Sequence, residues 1–146
     1  MQNMFSPIKL LQVTNGLLRV FMLNKVVILN LALVFTHQVD GAYWHEWKMF
    51  QLPGGIQLNN FINVLAFVAL LYLFVPVFQR KASGMTCSLV IAAISALVLP
   101  IHVGFAMAGY QQFHLPFSIF IIVGTFLLSI LQVVLTYRAR REFGVT

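Results

Sequence analysis

The chain has 146 residues, of which 60% are hydrophobic and only 8% are charged, and its formal net charge is +6. Soluble domains usually carry about 25% charged residues, so this composition excludes an ordinary soluble domain and indicates an integral membrane protein. The basic residues form no patch interleaved with aromatic side chains, which argues against a nucleic-acid partner. Membrane lipids are the expected surroundings of most of the surface.

The N-terminal 25 residues are apolar, but polar and basic residues such as Lys9 and Arg19 interrupt them at helical spacing. No small-residue cleavage pattern follows, so the segment is not typical of a signal peptide. With Ser6 as N-cap and Pro7 at the first helical position, it predicts an amphipathic helix that lies along the inner membrane surface. The alternative is a lipid-associated tail without fixed structure.

Four apolar stretches follow, and they predict an all-α four-helix bundle that forms one transmembrane domain. The last three are long enough to cross a hydrocarbon core of about 30 Å at ~1.5 Å per residue, whereas the first is shorter. The expected spans are residues 26–44, 57–79, 85–109 and 117–137, and residues 138–146 form a basic tail.

The basic residues predict the orientation, because Lys and Arg accumulate on the cytoplasmic side of short loops. With the N-terminus inside, only Lys48 lies outside. The other eight lie inside: Lys9, Arg19, Lys25, Arg80, Lys81, Arg138, Arg140 and Arg141. We therefore expect both termini to be cytoplasmic.

A single cysteine, Cys87, lies at the start of the third span, so neither an intrachain disulfide nor dithiol chemistry is available. Small side chains follow it at a spacing of three to four residues, at Ser88, Ala92, Ser95 and Ala96. Such a stripe lets a neighbouring helix approach closely. It predicts a packing surface.

Titratable residues are concentrated in the stretch THQVDGAYWHEW, residues 36–47, at the outer end of the first span. His37 and Asp40 are three residues apart and share one helix face. That face must point away from lipid, because an aspartate at a helix centre costs about 2.5–3.5 kcal/mol even on insertion-derived scales. His102 in the third span lies at a comparable depth, and Pro100 is expected to kink that helix and aim the imidazole.

Other polar residues lie at the same level. Asn59 and Asn63 open the second span on one face and are expected to line the same pocket, whereas the apolar fourth span is expected to supply only a wall. Trp44 and Trp47 are expected to anchor the outer membrane boundary.

Glu46 is harder to place, because it follows His37 by nine residues. On a continuous helix nine residues make about 900°, which turns the two side chains nearly opposite. Glu46 therefore joins the cluster only if the helix ends near Gly41.

The stretch HQVDGAYWHEWKMFQLPGGIQ, residues 37–57, resembles an uncharacterised bacterial family of small four-span membrane proteins. In that family the first span ends in His-x-x-Asp, followed shortly by His-Glu-Trp. The resemblance implies the four-span architecture and marks the motif positions His37, Asp40, His45, Glu46 and Trp47. It implies no established activity. With the absence of eukaryotic sorting signals, it implies residence in a bacterial inner membrane.

Imidazoles combined with carboxylates are typical ligands of zinc and other divalent transition metals. We expect His37, Asp40 and His102 to supply three ligands, with His45 or His114 from the outer loops closing or supporting the shell. Glu46 is the expected general base, and Asp40 is a second candidate catalytic group. Two alternatives stay open at this point: hydrogen bonding that only holds the bundle together, and acid–base or proton-relay chemistry without a metal.

Three classes of function are compatible with this pattern. The first is a metal-dependent hydrolase that acts on a lipid or another amphiphile. The second is a transporter-like protein that binds a ligand or ion in an outward-facing pocket. The third is a non-catalytic membrane subunit or assembly factor, or a homo-oligomer, that uses the small-residue stripe as an interface.

Overall fold

The computed structural model describes residues 7–144, with side chains described from residue 11 onward, and it contains no strand within that range. In chain order the helices are α1 (Pro7–Tyr43), α2 (Glu46–Met49), α3 (Gly55–Phe78), α4 (Gly84–Ala96), α5 (Val98–Met107) and α6 (Pro116–Ala139), followed by a 3-10 helix, Arg140–Glu142. Four segments are long and apolar enough to cross a membrane: Leu11–Tyr43, Gly55–Phe78, Gly84–Met107 and Pro116–Glu142. The predicted all-α four-helix architecture is confirmed.

Helix α1 differs from the expected division into a surface helix and a first span. It continues without a break from Pro7 to Tyr43, through the expected boundary at residue 25. Isolated polar residues within a helix do not end it, since their helix propensities are only a few tenths of a kcal/mol to about 0.7 kcal/mol below that of alanine. The 37 residues extend for ~55 Å, which exceeds a hydrocarbon core of about 30 Å. The proposed cap at Ser6 lies outside the described residues.

The third span is divided into α4 and α5 at Leu97, close to the expected kink at Pro100. Proline has no backbone N–H, so Pro100 cannot donate to the carbonyl of Ala96 in the preceding turn. The backbone N–H of Leu97 is shared between the carbonyls of Ala93 and Ile94, at 3.2 and 3.3 Å. Helix α5 therefore follows α4 as a separate short segment.

Helices α1 and α6 pack antiparallel and form the centre of the bundle. Trp44 contacts Ser118 at one end, Asn30 contacts Gln132 in the middle, and Gly16 lies against the Glu142 side chain at the other end. The stripe on α4 also faces inward: Ser88, Ala92 and Ser95 are buried. This stripe is therefore a packing surface within the chain, as its spacing predicts.

Helix α6 carries a polar inner face. Five of its polar side chains are at most 1% exposed, so the inner face of this wall is more polar than expected: Ser118, Thr125, Ser129, Gln132 and Thr136. The hydroxyl groups of Thr125, Ser129 and Thr136 each donate to the carbonyl four residues earlier. Local bonds of this kind satisfy hydroxyl groups in an apolar interior.

A hydrogen-bonded network joins three helices at the middle of the bundle. Asn30 Nδ2 on α1 donates to Gln132 Oε1 on α6 at 2.8 Å. Gln132 Nε2 in turn donates to the Ser88 carbonyl of α4 at 2.8 Å, and the hydroxyl groups of Ser88 and Thr136 are 2.7 Å apart. Gln132 is the residue through which all three helices are connected.

We expect Gln132→Leu to destabilise the protein, because it preserves the side-chain volume but leaves buried partners on α1 and α4 unpaired. The expected loss is about 1–3 kcal/mol, toward the lower end because interhelical hydrogen bonds in membranes average about 0.6 kcal/mol. Thermal unfolding in detergent micelles measures it. The matched control is Gln79→Leu, at an exposed position. Equal melting temperatures of the two variants would contradict a structural role for the network.

Candidate metal site

A reversal of the chain after α1 places Glu46 beside the first span. Helix α1 ends at Tyr43, and His45 adopts a left-handed backbone conformation with φ 58° and ψ 40°. The short helix α2 then begins at Glu46, whose side chain is buried with 7% exposure. Since the chain turns back, Glu46 faces α1 in spite of its unfavourable helical phase.

Gly41 contributes space, although it does not end the helix. Helix α1 continues past it to Tyr43. A Cβ atom on Gly41 would overlap Oε2 of Glu46. The glycine therefore lets the Glu46 carboxylate lie directly against the helix backbone.

Three side chains from three helices converge here: His37 of α1, Glu46 of α2 and His102 of α5. The Nε2 atom of His37 is 3.8 Å from Glu46 Oε1, and the Nε2 atom of His102 is 3.5 Å from the same oxygen. Each residue offers one ligand atom, and the three atoms lie within 4.8 Å of one another. The imidazole rings meet edge to face with centroids 4.8 Å apart.

These separations suit a shared ion better than direct hydrogen bonds. A hydrogen bond from imidazole to carboxylate has a length of about 2.7–3.2 Å, so distances of 3.5 and 3.8 Å are too long. Two ligands of one tetrahedral zinc ion, each at ~2.0–2.2 Å from it, lie ~3.3–3.6 Å apart. The distances of 3.5 and 3.8 Å are close to that range, but the three ligand atoms extend over up to 4.8 Å, so the side chains would have to move inward to share one ion.

The hydrogen bond of His102 leaves its other nitrogen free to coordinate. Nδ1 lies 2.8 Å from the carbonyl oxygen of Val98, which only accepts, so Nδ1 carries the proton and donates. The lone pair of the neutral ring is therefore on Nε2, toward Glu46. Metal-binding histidines commonly donate their second ring N–H to a carbonyl or carboxylate in this way.

Several buried polar atoms at the site lack a hydrogen-bond partner among the described residues: Asp40 Oδ2, His37 Nδ1 and His102 Nε2. Unpaired buried polar groups are uncommon in native proteins because each costs about 1–3 kcal/mol. These three atoms are therefore available to a polar partner.

A buried phenylalanine packs against the two imidazoles of the cluster. Phe113 is 5% exposed, and its ring centroid lies 4.3 Å from that of His102 and 5.7 Å from that of His37. Trp47 is 8% exposed, and half-buried Trp44 donates from Nε1 to Ser118 Oγ at 3.1 Å. Both tryptophans thus pack against the protein, and their expected role as boundary anchors stays a prediction.

Burial raises the pKa of Glu46 from 4.5 to about 7, and the charge of Asp40 contributes a smaller part of this increase. Desolvation disfavours the charged carboxylate, and a second carboxylate nearby disfavours it further. A bound cation would have the opposite effect and stabilise the ionised form. Without a bound cation, the protein surroundings of Glu46 therefore disfavour the ionised form of its carboxyl group.

Asp40 is the expected third ligand and Glu46 the expected general base, but the carboxylate that the structure groups with the two imidazoles is that of Glu46. Glu46 joins the two imidazoles, whereas Asp40 is half-buried beside them and is not one of the three grouped ligand atoms. His45 and His114 also lie outside that group and are exposed; their rings contact Trp47 and Trp44, each at 4.9 Å. Their expected contribution to the metal shell is a prediction that these positions do not favour.

The two asparagines of α3 are half-buried. Asn63 lines a groove with Gln38 and Ala42 of α1, apart from the three converging side chains. Asn59 lies one turn earlier on α3. Asn63 therefore lines a different groove from the three converging side chains, and the expected contribution of Asn59 to their pocket stays a prediction.

Sequence reasoning missed Phe113 and Ser118, which support the site from the loop before α6 and from its first turn. Phe113 has a left-handed backbone conformation, with φ 62°. That conformation is unfavourable for a large side chain and has no signature in a single sequence. Ser118 belongs to the polar face of α6, whose periodic spacing does offer a signal.

Comparison with known proteins gives a family but no function. A family model described as a family of unknown function, DUF6713, matches residues 23–139, which include all three converging side chains. No curated protein and no solved structure matches the chain.

The raised pKa of Glu46 predicts how stability depends on pH in chelator-treated protein. Its folded pKa of about 7 exceeds the ordinary 4.5, so the stabilising contribution is complete below about pH 4.5 and is lost as the pH rises through 7. The full change is about 3 kcal/mol, from roughly 2.5 pKa units at 1.36 kcal/mol each. Melting temperatures at pH 5 and pH 8 measure it.

Glu46→Gln is expected to remove this part of the pH dependence, whereas Glu142→Gln is expected to retain it. Comparing each variant with the unaltered protein isolates the contribution of the Glu46 carboxylate from that of the rest of the protein. An unchanged pH profile in Glu46→Gln would show that Glu46 is ionised as in an ordinary solvated carboxylate.

Proposed function

Because the chain belongs to DUF6713, a family of unknown function, its role must be inferred from the site, and we propose that it is a metal-dependent hydrolase embedded in the membrane. His37, Glu46 and His102 are the proposed ligands of zinc or another divalent transition-metal ion. Two histidines and one glutamate form the ligand set of several zinc hydrolases, in which three protein ligands leave a fourth position for water.

The convergence of two imidazole Nε2 atoms on one buried carboxylate oxygen, at 3.5 and 3.8 Å, carries this proposal. Purely structural pairing would be expected to close these contacts to hydrogen-bond length, because the low dielectric of the interior makes an unmade bond costly. A zinc ion bound at this site would lower the pKa of a coordinated water molecule and polarise a substrate carbonyl.

We assign the base function to Asp40. Its Oδ2 atom is buried without a hydrogen-bond partner among the described residues, next to the three ligands. A carboxylate there accepts a proton from the attacking water and later returns it to the leaving group. The Val98 carbonyl holds the His102 ring in its coordinating tautomer, and buried Phe113 packs against both imidazoles.

The alternative of a non-catalytic subunit is less well supported, since the small-residue stripe that would serve as its interface is occupied by α6. Ser88 and Gln132 are hydrogen-bonded across that contact. A metal-binding or transporter-like protein without turnover shares the same ligand set. The two differ in the effect of Asp40, which matters for hydrolysis but not for holding the ion.

Stoichiometric metal in protein purified in detergent without chelators is the first expected result, measured by elemental analysis. His37→Ala, His102→Ala and Glu46→Gln are each expected to reduce the metal content at least about tenfold, as losses of site residues typically cost 10–100-fold in affinity. Asp40→Asn is expected to retain the ion. His45→Ala and His114→Ala are the matched controls, since both side chains are exposed. Loss of the ion in either control would refute the assigned ligand set.

A glycine pair tests the geometry without altering any ligand. Gly41→Ala is expected to lower the metal content, because the new Cβ atom overlaps the Glu46 carboxylate. Gly104→Ala in α5 is the control, since a Cβ atom there meets nothing within 4 Å. Full metal content in both proteins would mean that Glu46 does not need its position against α1.

We also propose that the protein resides in a bacterial inner membrane with both termini in the cytoplasm and the metal site toward the outside. Eight of the nine basic residues lie inside in this orientation, which follows the usual bias. This arrangement places the site where α1 ends and the chain returns through α2, at the outer end of the bundle.

Cysteine labelling tests the orientation in intact bacterial cells, starting from a Cys87→Ser background. A membrane-impermeant maleimide is expected to label Gln51→Cys directly and Lys81→Cys only after permeabilisation; both positions are exposed. The reverse pattern would place the metal site on the cytoplasmic side.

A further inference from the structure

We propose that the groove between α5 and α6 binds the hydrocarbon chain of a membrane amphiphile, whose polar head then lies at the His37–Glu46–His102 site. This inference rests on the proposed function and specifies its substrate class. The chain enters sideways from the bilayer, and the head group that reaches the site carries the hydrolysable bond.

The groove is a cavity of about 190 Å³ with mainly apolar walls. Val103 and Ala106 of α5 line one side, and Ile119 and Val123 of α6 line the other. His102 and Phe113 belong to both the groove and the candidate metal site. The imidazole of His102 therefore connects an apolar binding surface to the converging ligands.

The groove lies on segments apolar enough to span the membrane, so we expect its mouth to open toward the bilayer. Val103, Ile119 and Val123 are 48%, 50% and 39% exposed, and they lie on segments apolar enough to span the membrane. A water-soluble substrate would have to displace lipid to enter there, whereas an acyl chain is already present. Tyr110 and Gln112 supply polar groups to the lining from the loop between the helices.

The groove and the site have different roles in selection. Moving an acyl chain from the bilayer into an apolar groove changes its hydrophobic free energy little, because lipid tails are as apolar as the groove walls. Packing in the groove therefore positions the chain, and contact of the head group with the polar site supplies most of the selectivity. We therefore expect the best substrates to be amphiphiles in which one chain can leave the surrounding lipid and enter the groove.

A photoreactive fatty acid with a diazirine in the middle of its chain tests the groove in the full-length protein. Crosslinks mapped by mass spectrometry are expected to concentrate on the groove-lining residues of α5 and α6 rather than on the lipid-facing side of α3. Ala106→Trp fills the groove and is expected to reduce this labelling at least about fivefold, which corresponds to about 1 kcal/mol. Val123→Trp blocks the opposite wall and provides a second variant if the first does not fold.

The matched control is Ala69→Trp, at an exposed position of α3. Labelling of the groove is expected to remain unchanged in that control. Equal labelling of α3 and the groove, or undiminished labelling in both groove variants, would overturn the inference.

Metal content measured in the same samples separates the two proposals. Labelling lost with metal retained supports a groove that serves an intact site. Specific groove labelling in a protein that never binds metal would contradict both the proposed hydrolase function and the substrate role of the groove. The groove would then be a lipid-binding surface only. A metal-loaded protein without specific groove labelling would overturn the groove while sustaining the site.

Discussion

A buried carboxylate held between two imidazoles is the constraint on which the rest of this site depends. Glu46 is 7% exposed, and an ionised group is unfavourable in such surroundings unless a cation or hydrogen bonds compensate it. The left-handed backbone of His45 and the lack of a side chain at Gly41 nevertheless allow the Glu46 carboxylate to lie at this buried position. A protein that only needed to close its bundle would achieve this more favourably with an apolar residue.

The overall architecture could be predicted from the sequence because the bilayer imposes simple rules. Span length and apolar content follow from membrane thickness, so four helices emerge from hydropathy alone. Counting residues from the span ends also placed His37 and His102 at one depth, and the structure brings their rings to 4.8 Å. The depth of a residue within a span follows directly from its distance in sequence from the end of that span.

The choice between Asp40 and Glu46 could not be predicted, because it depends on one backbone torsion rather than on a periodic pattern. On a continuous helix Glu46 would point away from His37. The reversal of the chain at His45 instead returns Glu46 to the side of His37. The polar face of α6 was overlooked for a different reason. Average hydropathy hides serines and threonines, whose hydroxyl groups bond within their own helix. The continuity of α1 similarly reflects helix propagation through scattered polar residues.

The division of the third span at Leu97 has a mechanical consequence. Helix α5 is a ten-residue segment, and it carries His102 while α4 remains tied to α6 through Ser88 and Gln132. An ion shared by His37, Glu46 and His102 would fasten this short segment to α1 and α2. Binding of an ion at the site would then stiffen α5, while α4 stays anchored to α6 whether or not the ion is bound.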